Sequence, residues 1–252
     1  MGEGPVDQLA LGRARLTTPT MDAITEIETG LDARGHTVLR RCHCEAPLLV
    51  RIVDEPGPAL ALVIVNGAAG PLGGDHLRFR LDVARGAHVV VRSVAAAMAQ
   101  PGPRGGRSTL EVDLVVGDGG TIDWCPEPTV SVIESDHHTT MHLAAARSST
   151  VRVRECVSLG RAGERSGTLA TRQRVAIDGA SVLDHETVFA PGALLGPGAH
   201  GRHRMFVSEI HIGAALPAAT AEVSDDCTLA TFHVSPICAV TMMAIGSPAA
   251  ST

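Results

Sequence analysis

Lysine is missing from this chain, whose 21 basic residues are all arginine. Its absence removes Schiff-base and general-base lysine chemistry and the lysine of a phosphate-binding P-loop. Tyrosine is missing too, and one Trp and four Phe are the only aromatics. A core must therefore be built from Val, Leu, Ile and Ala, and a surface that stacks sugars has little to stack with. Six cysteines, Cys42, Cys44, Cys125, Cys156, Cys227 and Cys238, are too few over 252 residues for a disulfide scaffold, and no two form a Cys-x-x-Cys pair. A net charge of −6 offers no basic face to nucleic acid or to an anionic membrane. The pairs Arg152/Arg154 and Arg202/Arg204 read as solvated or ion-paired surface. No apolar run is long enough for a membrane helix, and the acidic, apolar-poor opening does not read as a secretory signal. The expectation is a reduced, soluble, cytoplasmic protein with one sizeable core.

What the chain does have is period two. In His76-Leu-Arg-Phe-Arg-Leu-Asp-Val83, Leu77, Phe79, Leu81 and Val83 share one face of a half-buried strand. Leu110, Val112, Leu114 and Val116 repeat the pattern, and Val89–Val91, Val151–Val153, Arg174–Ile177 and Thr187–Phe189 are further short strands. Turn signals separate them at Arg85-Gly86, Gly117-Asp-Gly-Gly120, Asp178-Gly179 and Pro191-Gly192. Strand after strand without amphipathic helices predicts an all-β body, antiparallel or solenoidal. Two Ala-rich stretches, 94–100 and 217–223, are the candidate short helices. The domain reading is a loose leader over 1–30, one β-rich domain over 31–245 and a frayed tail over 246–252.

The glycine-rich loop Asn66-Gly-Ala-Ala-Gly-Pro-Leu-Gly-Gly-Asp75 follows an apolar strand and opens another. A dinucleotide fingerprint would open a helix and a P-loop needs lysine, so both phosphate readings fail. The glycines then supply tight turns, and Asp75 either bonds the turn or places a charge on an inner wall. There is no Gly-x-Ser-x-Gly elbow and no His-Glu-x-x-His helix. Asp136, His138, Thr140 and His142 recur at even spacing on one strand face, opposite His137, Met141 and Leu143. That face is either solvated or a weak divalent-ion site. A metal-dependent hydrolase using Asp136, His138 and His142 is the alternative function. In Cys42-His43-Cys44 the two thiols share a strand face and His43 points away, so a single compact site is awkward. His200 and His203 sit in a glycine-rich loop where a transient metal contact is conceivable.

Several stretches, taken in order, resemble one family, urease accessory protein D (also called H), a nickel-insertion chaperone subunit. Its signature Asn-Pro-x-Gly-Gly-x-x-x-Gly-Asp is matched by Asn66, Gly70, Gly74 and Asp75, with Gly67 in place of proline and Ala69 in place of the first paired glycine. The stretch Thr121 to Val130, with Glu127 between two prolines, is similar to the family's acidic-aromatic turn. The segment Arg154 to Gly167 is similar to its Glu-x-x-x-Leu-Gly-Arg element, with Glu155, Leu159, Gly160 and Arg161 in register. The likeness runs from about 40 to 190.

The resemblance implies stacked sheets like a β-helix or solenoid plus a couple of helices, and a function without catalysis. Its members join the accessory proteins F and G, the latter a GTPase, on apo-urease, and nickel passes through an internal tunnel. No tightly bound cofactor is implied, only nickel in transit. Asp75 and Glu155 are then the candidate acidic wall positions, with Arg161 holding the second motif and Asn66, Gly70, Gly74 and Gly160 as backbone devices. A buried turn network without nickel contact is the alternative for Asp75, Glu155 and Arg161.

Overall fold

A computed structural model describes residues 20–54, 57–191, 203–224 and 226–246. Among them are eighteen strands and no helix. The first half holds β1 (Asp22–Leu31), β2 (Thr37–Cys44), β3 (Leu48–Val53), β4 (Leu60–Asn66), β5 (His76–Val83), β6 (His88–Ser93), β7 (Ala97–Ala99), β8 (Ser108–Val116) and β9 (Thr121–Trp124). The second half holds β10 (Thr129–Ser131), β11 (Asp136–Ala145), β12 (Thr150–Leu159), β13 (Thr168–Ile177), β14 (Ala180–Phe189), β15 (Met205–Ile212), β16 (Thr220–Val223), β17 (Cys227–Ser235) and β18 (Cys238–Ile245).

Two sheets face each other. One runs β14-β13-β11-β8-β5-β1-β2, the other β16-β17-β18-β15-β12-β9-β6-β4-β3. Strands β1, β5, β8, β11 and β13 are successive parallel neighbours in the first, and β4, β6, β9 and β12 in the second. The chain thus winds between the sheets in about four stacked coils, a β-solenoid. Antiparallel hairpins close each end: β1/β2 and β3/β4 at one, β13/β14 and the β15–β18 meander at the other. Such hairpins limit the unpaired edge that a bare stack would offer.

The turns expected at Arg85-Gly86 and Gly117–Gly120, joined by one at Ala146–Ser149, carry the winding. Ala87 N–H closes on Ala84 O (3.0 Å), Gly120 N–H on Gly117 O (2.9 Å) and Ser149 N–H on Ala146 O (3.0 Å). The corners also bond to one another, Gly86 N–H to Asp118 O (2.9 Å) and Gly119 N–H to Ser148 Oγ (3.1 Å). Asp178 and Gly179, with φ of 50° and 80°, make the β13/β14 hairpin turn that the Asp-Gly pair predicts.

The alternating residues meet between the sheets. Leu77, Phe79, Leu81 and Val83 are all buried, as are Val112, Leu114 and Val116. Phe79 packs edge-on against Trp124, ring centres 5.1 Å apart. Each buried Val, Leu or Phe contributes about 1.5–3 kcal/mol relative to exposure. With so few aromatics, this pair supplies the largest side chains of the main core.

Two expectations need correction. The Ala-rich stretches are not helices: Ala97–Ala99 is β7, paired with β10, and Thr220–Val223 is β16 at a sheet edge. At the β7 corner Ala99 is fully buried, so small side chains serve close packing there, and tertiary contacts override helix propensity. Likewise the loose leader does not reach residue 30, because β1 is an interior strand between β5 and β2. Residues 1–19 and the tail beyond 246 lie outside the described residues.

Candidate functional site

The loop after β4 is a backbone device. Asp75 is buried, and its two carboxylate oxygens accept from two main-chain amides, Met21 N–H to Oδ1 and Leu72 N–H to Oδ2, both 2.9 Å. Asp75 N–H returns to Leu72 O at 2.9 Å, and Thr109 N–H bonds Asp75 O at 2.8 Å, tying the loop to β8. Gly70 is buried and its carbonyl accepts Met98 N–H at 3.2 Å. Asn66 ends β4 at the exposed rim opposite Leu48. Gly74 has φ of 97°, and a Cβ there would lie 2.7 Å from Thr20 Cγ2. Gly74→Ala is expected to cost about 1–2 kcal/mol, read as a lowered urea midpoint at unchanged slope.

The second motif runs along β12 into the turn after it. Gly160 sits at φ 73°, where a Cβ would crowd Glu164 O. Arg161 is half exposed, and its guanidinium reaches Glu164 only at 3.9 Å. The tie expected of Arg161 comes instead from Arg204. That guanidinium donates to Leu159 O from Nε (2.9 Å) and Nη2 (2.5 Å), to Arg161 O (3.1 Å) and to Glu164 O. Arg204 is thus not idle surface, whereas Arg152 and Arg154 are ion-paired as expected, to Glu209 at 3.0 and 3.6 Å. His211, then Arg152, hold the Glu209 carboxyl down at about 2 despite its burial.

Glu155 has a different setting. It lies on β12 facing the space between the sheets, on the wall of a cavity of about 390 Å3. Val157, Phe189, Phe206, Val207, Met242 and Met243 supply apolar wall, and Thr171, Thr187, Ser208 and Thr228 supply hydroxyls. Gln173 Nε2–H donates to Glu155 Oε2 at 3.0 Å, and Ser208 Oγ–H holds the other end of that amide at 2.9 Å. Burial lifts the carboxyl to about 7, against the opposing pull of the Gln173 amide. His203 lines the same cavity and has Nδ1 3.2 Å from Gly246 O. His200 lies outside the described residues.

The hydrolase candidates do not converge. Asp136 is held by Arg107 at 3.1 Å, His138 lies 3.3 Å from Glu186, and His142 sits across from Asp113 and Arg174 on the outer face. Among the described residues, no three His, Cys, Asp or Glu side chains are grouped to hold a metal ion. Glu127 is exposed, its N–H bonded to Ser93 Oγ.

Comparison with known proteins decides the family. The profile of the UreD urease accessory protein matches residues 23–249. The chain belongs to the UreD family. A UreD of Streptomyces coelicolor is 39% identical over 162 residues, covering 64% of each chain. UreD 3 of Streptomyces griseus is 41% identical over 165 residues, again 64% of each. UreD 2 of Saccharopolyspora erythraea is 29% identical over 259 residues, 97% of this chain and 91% of the relative. The chain spans roughly half to two-thirds of the length of several of these relatives, 53% for a UreD of Frankia alni.

The family match reaches well past residue 190, where the local likeness fades. That C-terminal part contributes Arg204, Phe206, Ser208 and Met242 to the tie and the cavity. None carries a motif of its own; only the even spacing of Phe206 and Ser208 along β15 hinted that they share a face. Within the described residues, no helix is long and apolar enough to cross a membrane.

Proposed function

We propose that this UreD-family chain serves urease maturation in the cytoplasm as a non-catalytic scaffold, joining accessory proteins F and G on apo-urease and passing nickel towards the metallocentre. The observation that carries the nickel role is the lone carboxylate of Glu155 on the wall of a largely apolar inter-sheet cavity that also carries four hydroxyls. An ion in transit needs oxygen donors that hold it weakly, and one carboxylate with hydroxyls and water does this where a thiolate cage would trap it. Nickel is cargo here, and no tightly bound cofactor is required. Asp75 supports the path indirectly, by fixing the loop that ties β5 to β8, since both its oxygens already accept amides.

The test is deletion of the gene in its host, with wild-type, Glu155→Ala and Asp75→Ala copies returned, reading nickel per purified urease. Deletion is expected to leave abundant, nickel-poor urease that the wild-type copy restores. Glu155→Ala is expected to lower nickel content several-fold while the chain still co-purifies with its partners. Fully nickel-loaded urease in the deletion strain would end the maturation reading; full loading with Glu155→Ala would remove Glu155 from the path.

A further inference from the structure

At the far end of the coil stack from the Glu155 cavity, β2 and β3 are the two edge strands. Cys42 and Cys44 lie on β2 opposite Ile27 and Thr25, so both thiols point to the inner side, at the open mouth between the sheets. Cys44 packs partly against the core, Cys42 is exposed, and their sulfurs are 3.4 Å apart. Across the mouth, Ile52 is 53% exposed although it follows the inward alternation of Leu48 and Val50. Exposed free thiols are uncommon on a reduced protein, because cysteine is among the most buried residue types.

We propose that Cys42 and Cys44 form a two-sulfur clamp for a thiophilic divalent cation at this mouth. Two sulfurs 3.4 Å apart, each about 2.3 Å from one ion, subtend an angle of about 95° at it. That lies between the square-planar and tetrahedral values, so one ion is spanned with little side-chain movement. A disulfide suits the pair less well. Residues two apart on a strand have Cα atoms about 6.6 Å apart, near the upper limit for that bond. His43 turns to the outer face, 3.2 Å from Glu45, and adds no third ligand. With no further His, Cys, Asp or Glu grouped there among the described residues, the remaining positions fall to water or to a donor from a docked molecule. The clamp is therefore open and exchangeable. It stands apart from the Glu155 proposal, whose failure would leave it untouched.

The test is titration of the reduced full chain with Cd2+, followed by thiolate-to-metal charge-transfer absorption in the near ultraviolet. The wild type is expected to saturate at one equivalent. Cys42→Ser and Cys44→Ser are each expected to weaken binding at least tenfold and to reduce the band, with melting temperatures close to wild type. Cys125→Ser, on a half-buried thiol elsewhere, is expected to change nothing. Cadmium NMR of the wild type gives a reading that needs no variant, with a shift expected for two sulfur ligands. The clamp is refuted by wild-type binding in either of the first two variants, by loss of the band in Cys125→Ser, or by a cadmium shift showing fewer than two sulfurs.

Discussion

Asp75→Ala is expected to destabilise the protein by about 2–6 kcal/mol, a large share of the 5–15 kcal/mol that holds a typical domain folded. The substitution leaves two amides, Met21 N–H and Leu72 N–H, without acceptors beside a side chain that is 1% exposed. Each stranded donor costs about 1–3 kcal/mol, more than a bond contributes net. Asp75→Asn keeps one acceptor and sets an NH2 against the other amide, so about half the loss is expected. Urea unfolding checks this through a lowered midpoint at constant slope. A midpoint unmoved by Asp75→Ala would mean that water replaces the carboxylate and that the loop is not held by it. Any loss of urease loading in this variant is then to be read against the amount of folded protein.

Glu155→Gln is expected to make the protein more stable at pH 8, by on the order of 2–3 kcal/mol, and to change little near pH 4. The sign follows from proton counting. The carboxyl titrates near 4.5 when unfolded and at about 7 when folded. Between those values the native state holds a proton that the unfolded state has lost, so stability falls as pH rises through the window. Glutamine is neutral throughout, keeps an oxygen for the Gln173 amide and removes that slope. Unfolding free energies of both proteins at pH 4 and pH 8 check it. A difference constant with pH would show that the folded carboxyl titrates like the unfolded one. Buried His137 pulls the other way: burial, then the neighbouring His138, lowers its imidazole to about 4, and stability is lost as pH falls from about 6.5 towards 4. The two groups together favour a stability maximum in mildly acidic to neutral solution.

Much of the solenoid is readable from local pattern, because alternation and turn chemistry are local. The inward faces of β5 and β8 and the Asp178-Gly179 turn follow from neighbouring residues alone. Partner choice does not. Val112 on β8 pairs across to Met141 on β11 and to Phe79 on β5, and nothing in its own sequence window distinguishes parallel stacking from antiparallel pairing. The same limit hides Arg204. It reads as one more surface arginine until the turn after β12 arrives with carbonyls from Leu159, Arg161 and Glu164. The motif singles out Glu155, but the apolar cavity around it is assembled from β12, β13, β14, β15, β17 and β18.

Phe79, Val112, Met141 and Gln173 occupy one row of the first sheet, so successive coils are offset by 33, 29 and 32 residues. Each new strand thus needs only one loop of about thirty residues to close before it finds a finished edge, and closure entropy grows slowly with loop length. Assembly from the β1/β2 end can therefore proceed as repeated short-range addition, each coil acting as the template for the next. A chain growing from its N-terminus could lay down its early coils before the C-terminal meander that completes the Glu155 cavity has been synthesised.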